Sequence, residues 1–134
     1  MKVFYFCFIT LLILSSGCKK KGESLNQTVA FIGESKKQIG SSTFTITNIV
    51  DSRCPKEAIC VREGNAVVSL KVQTDFNIQN FSLCIGNCTE IGSTDNITFT
   101  TGNAKYWVKL KQVSQTDEAK PDLPKVVTLE ITKG

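Results

Sequence analysis

Apolar and polar residues alternate with period two along most of the chain from residue 28 onward. Such alternation marks strands that bury one face. Phe44 and Ile46 alternate with Thr43, Thr45 and Thr47, and Val68, Leu70 and Val72 with Ser69, Lys71 and Gln73. Phe81, Leu83 and Ile85 make a third set, Ile97 and Phe99 a fourth. Tyr106, Val108 and Leu110 point opposite to Lys105, Trp107, Lys109 and Lys111, and Val127, Leu129 and Ile131 close the series. An early strand is expected over residues 29–32 and a short one near 37–39. No window of useful length carries helical spacing, and no internal repeat stands out.

Strands with one apolar face bury it by packing sheet on sheet. The expected fold is all-β: an immunoglobulin-like antiparallel β-sandwich of about seven strands, with a small β-barrel as the alternative. Turn signals at Gly40-Ser41, Gly64-Asn65, Gly86-Asn87 and Gly102-Asn103 provide reversals. Roughly 110 residues suffice for one core and one domain.

The first residues follow another pattern. Lys2 precedes residues 3–14, which are apolar except for Thr10, and Leu14-Ser15-Ser16-Gly17-Cys18 follows. A positive start, a short apolar run and small residues are the layout of a secretory signal. The run falls short of the ~20 residues that span a bilayer. With its cysteine directly after the small residues, the segment resembles the signal of bacterial lipoproteins, in the lysine-following form common in Bacteroidota. The resemblance implies cleavage after Gly17 and lipidation of Cys18. It departs from the family at one place, since Ser15 stands where that family usually has leucine. A cleaved, soluble, secreted protein is the alternative.

Cysteine count favours the lipid. Of six cysteines Cys7 leaves with the signal, and acylation of Cys18 leaves an even four. The expected organisation is a signal over 1–17, a polar tether over 18–27 and a single β-domain over 28–134. The expected location is the bacterial cell envelope. No aspartate follows Cys18, which in the lipoprotein family is compatible with transfer to the outer membrane.

Charge excludes one class of partner. The formal net charge is +4, yet Lys2 belongs to the signal and Lys19, Lys20 and Lys21 to the tether. Beyond them the chain is nearly neutral and lacks the basic stripe of nucleic-acid binders, so no nucleic-acid partner is expected.

The remaining cysteines, Cys54, Cys60, Cys84 and Cys88, allow three pairings. Local pairing is the simplest, and each short loop would gain roughly 2 kcal/mol of stability. A metal site is not expected, because only the second pair has zinc-like spacing and the chain has no histidine. Nor is a cofactor. Without histidine there is no Ser-His or Cys-His pair, so the chain does not read as an enzyme. Asp51, Glu57 and Glu63 are interleaved with Arg53, Lys56 and Arg62, which reads as surface ion pairing.

Asp51-Ser52-Arg53-Cys54-Pro55, then Cys60, then Gly64-Asn65-Ala66-Val67-Val68, resembles a signature of small uncharacterised exported bacterial domains. The aromatic strand Tyr106-Trp107-Val108-Lys109-Leu110 and a proline-containing loop before the last strand are similar too. The resemblance implies that an early strand joins a long central one through a loop with Cys54 and Cys60 paired. Cys84 and Cys88 are additional to it, and it implies no activity.

Two surfaces are candidates for binding. The Cys54–Cys60 loop would present Lys56 and Glu57, and Trp107 would stand among Lys105 and Lys109 on a polar face. The expected role is a membrane-anchored, non-catalytic binding or envelope-structural module with a protein or glycan partner. The alternative is a protease-inhibitor-like or ligand-capturing module built on one of those surfaces.

Overall fold

The computed structural model describes residues 25–117 and 119–134. Cys18 and the signal lie outside them. Among the described residues eight strands form: β1 (Leu25–Ile32), β2 (Lys36–Ile39), β3 (Ser42–Asp51), β4 (Asn65–Gln73), β5 (Ile78–Gly86), β6 (Asn96–Thr101), β7 (Ala104–Val113) and β8 (Val126–Lys133). One four-stranded sheet has the order β1-β8-β7-β6 and the other β2-β3-β4-β5, with every neighbour antiparallel. The two sheets remain open and face each other as a β-sandwich. Among the described residues the only helical turn is a 3-10 turn at Thr89–Ile91.

The alternating apolar residues supply the core. Phe44, Ile46, Val68, Leu70, Val72 and Leu83 from one sheet meet Tyr106, Val108, Leu110, Val127, Leu129 and Ile131 from the other. Phe99 stacks on Tyr106 and on Phe81 at ring-centre distances of 5.1 Å each. Aromatic pairs at this separation add attraction beyond the area they bury. Gly40 and Gly102 take positive φ values, 63° and 57°, in the two-residue β2–β3 and β6–β7 turns. That conformation suits glycine and matches tight hairpins.

β1 begins earlier than the polar pattern indicated. Leu25, Asn26 and Gln27, assigned above to the tether, pair with Lys133, Thr132 and Ile131. An edge strand gains ladder hydrogen bonds whatever its side chains are, so polarity alone does not end it.

Two β-bulges decide which side chains face inward at the ends of strands. Register shifts between Ile46 and Asn48 in β3 and between Leu110 and Gln112 in β7. An extra residue inverts the inside–outside parity beyond it. Ser42, Phe44 and Ile46 point inward before the first bulge, and Asp51 lies opposite the buried Ala66 after it.

Strand polarity gives the sandwich two distinct ends. The upper end gathers the β1–β2, β3–β4, β5–β6 and β7–β8 connections. The lower end gathers the start of β1, the β2–β3, β4–β5 and β6–β7 turns, and the end of β8.

Candidate functional site

The β3–β4 connection, residues 52–64, is the most elaborated loop of the upper end. Its cysteines pair locally, Cys54 with Cys60, and beside them Cys84 of β5 is bonded to Cys88 in the β5–β6 connection. The base of the loop is tied by backbone and side chain together. Ser52 N donates to Asn65 O at 2.8 Å, and Asn65 N donates to Ser52 Oγ at 3.1 Å. Asn65 Nδ2 donates to Asn87 O at 2.9 Å, fastening this base to the second disulfide loop. Gly64 is required there because a Cβ would overlap the Ser52 carbonyl.

Beneath the loop lies a buried ionic knot. Arg53 Nε donates to Asp51 Oδ1 and Arg53 Nη2 to Asp51 Oδ2, both at 2.8 Å. Lys125, from just before β8, donates to Asp51 Oδ2 at 2.7 Å, to Thr116 Oγ1 at 2.6 Å and to Ser114 O at 3.2 Å. All three ammonium protons are thus used. Arg53 Nη2 also donates to Val113 O at 2.9 Å, bridging to the opposite sheet. The side chains of Asp51, Arg53 and Lys125 are 7%, 15% and 20% exposed. Burial by itself pushes the Asp51 carboxyl upward, but the hydrogen bonds from Arg53 and Lys125 together outweigh it. They hold Asp51 well below the usual carboxylate range.

This knot corrects the expectation of surface ion pairing for Asp51 and Arg53. The bulge at Thr47 turns Asp51 inward, and Arg53, two residues on, follows it across the top of the core. Glu57, Glu63, Lys56 and Arg62 are exposed.

Above the knot the loop projects into solvent. Ile59 and Val61, on either side of Cys60, are fully exposed. Lys56 and Glu57 line an open cleft of about 270 Å³ with Gln115, Thr116 and Asp117 of the β7–β8 connection. The sequence pointed to Lys56 and Glu57 in this loop and not to Ile59 and Val61, because the type of an apolar residue carries no signal that it will stand exposed. A second, shallow concavity of about 620 Å³ and mixed lining lies on the outer face of the β2-β3-β4-β5 sheet, with Val50, Val67 and Ile91 beside Ser82, Ser93 and Thr94.

The other candidate residues lie elsewhere. Trp107 points outward from β7, 42% exposed, between Thr98 and Thr132 on the neighbouring strands. Lys105 Nζ sits 5.1 Å from its ring centre. Lys109 pairs instead with Asp95 at 3.6 Å. Trp107 and Lys105 therefore belong to the lower end, Lys56 and Glu57 to the upper, and no single site unites them. Neither a protein-family model, nor a curated protein sequence, nor a solved structure matches the chain.

Proposed function

We propose that the protein is an exported, lipid-anchored, non-catalytic binding module that contacts a partner protein through its upper end. The observation that carries this reading is the loop 52–64, stapled and clamped at its base, with Ile59 and Val61 fully exposed. Exposed aliphatic side chains on a pre-organised loop lose little entropy on binding and gain from burial. An aliphatic tip suits an apolar recess on a protein better than a sugar, which calls for aromatic stacking and polar groups. Two disulfides fit the oxidising compartment that export would give.

With Cys18 as the anchor, the chain enters the domain at the lower end and the loop faces away from the membrane. Cells carrying the full chain with a photo-crosslinking residue in place of Glu57 test the reading. Discrete adducts that vanish in an Ile59→Ser, Val61→Ser variant, with the thermal melt unchanged, support it. Adducts indifferent to those substitutions sink it. The mass of the mature N-terminal peptide tests the anchor separately, because unmodified Cys18 removes it.

A further inference from the structure

The lower end differs from the upper in charge as well as in shape. Of the ten acidic residues beyond the tether that the structure describes, all but Asp75 and Glu130 lie at the upper end, in the connections that follow β1, β3, β5 and β7 or, for Asp51, at the end of β3. Five basic residues stand among them, and Asp75 lies in the lower β4–β5 turn beside Phe76. Seven lysines stand in the remainder. The Lys37 ammonium lies over the ring of Phe31 near the upper end of β1, whereas Lys105 and Lys133 are those at the lower end. Two exposed aromatic residues accompany them. Phe76, 78% exposed, sits at the tip of the β4–β5 turn against Gly102 of the β6–β7 turn. The Trp107 ring leans downward, packing over Gly134 and under the Lys105 ammonium. It therefore stands at the level of the last rung of its sheet, where Lys105 and Gly134 exchange backbone hydrogen bonds.

Resting on the lipid-anchor reading, we propose that this lower end seats on an anionic bilayer surface. Phe76 and Trp107 enter the interfacial layer while Lys105 and Lys133 lie against headgroups. Three observations point to a bilayer rather than another occupant. First, β1 starts at this end, and the seven Cα steps from Cys18 to Leu25 reach at most about 25 Å, which keeps the end close to an anchored lipid. Second, an amphipathic tryptophan ring beside a lysine, as Trp107 is beside Lys105, is the composition that membrane interfaces select, and Phe76 adds an exposed apolar ring at the same end. Third, acidic residues outnumber basic ones at the upper end while Lys105 and Lys133 outnumber Asp75 at the lower, a separation that would turn the lower end toward a negatively charged surface. Lys19, Lys20 and Lys21, next to the anchor, add to the same attraction.

Trp107 is the only tryptophan, so its fluorescence reports the seating directly. The full lipidated chain is reconstituted into phosphatidylglycerol-containing vesicles whose acyl chains carry bromine near the headgroup. The expected result is several-fold quenching of Trp107 relative to unbrominated vesicles. It should weaken in Phe76→Ser and in Lys105→Gln, Lys133→Gln variants that still float with the vesicles. A protein that floats while Trp107 stays unquenched overturns the seating and leaves the anchor intact. A protein that does not float and carries unmodified Cys18 overturns the anchor, and the seating with it. Emission that answers to a soluble envelope polysaccharide and not to brominated lipid also overturns the proposal, by assigning the ring to sugar.

Discussion

Asp51 is the residue on which the upper end depends most. Each of its oxygens accepts from two donors, and its two cations are largely withdrawn from water. Removing one partner of a buried ion pair leaves the others uncompensated, so Asp51→Asn should cost about 3 kcal/mol in a urea melt. The pH dependence has a definite sign. The folded pKa lies below the ordinary value of 3.8, so the stabilisation is complete above that value. It fades as pH falls from 3.8 towards the lower folded value. The wild type should therefore lose stability over that acid range more steeply than Asp51→Asn; parallel acid limbs would refute the assignment. The Asp-x-Arg spacing was visible in the sequence, since residues two apart on a strand share a face. Its burial was not, because it depends on an extra residue at Thr47 that inverts parity, and on Lys125, 74 positions away.

At the scale of elements, the period-two pattern delivered the strands and their inward faces, from Phe44 to Ile131, because burial of one face dictates residue type. Strand ends were less legible. Leu25 to Gln27 join β1 through backbone pairing, to which side-chain polarity is blind. The cysteines show a similar division: spacing made local pairing the simplest of three, while their surroundings emerged only in the fold. Cys60 is exposed and Cys84 is 1% exposed, although the two stapled loops are of similar length. Thiol–disulfide exchange requires access to sulfur. Mild dithiothreitol followed by alkylation and mass analysis should therefore label Cys54 and Cys60 well before Cys84 and Cys88. Replacing the first pair by serine should cost roughly 2 kcal/mol, the loop-entropy value. Replacing the second should cost more, because a serine at position 84 buries a hydroxyl where Cys84 now packs.

For the whole molecule, the arrangement of charge says more than its total. A domain near neutrality looked electrostatically uninformative as a sequence, because the tally ignores which residues the topology brings to one end. Strand order gathers most of the acidic residues above the sandwich, with fewer basic ones among them, and leaves seven lysines on the strands. Seated as proposed on an anionic vesicle, such a body would take one orientation, and the attraction falls off within a Debye length of about 8 Å at physiological salt. Only the lower lysines lie within that layer if the domain seats as inferred. Eight residues of β1 at about 3.3 Å each put the upper loops some 26 Å higher. Amine acetylation of the anchored protein, compared with the same protein in detergent, should then show Lys105 and Lys133 protected and Lys56 and Lys120 unchanged. Raising the salt should restore Lys105 and Lys133 while the protein remains attached through its lipid. Equal protection at both ends would mean that the domain lies on its side, and that the charge separation along its long axis does not orient it.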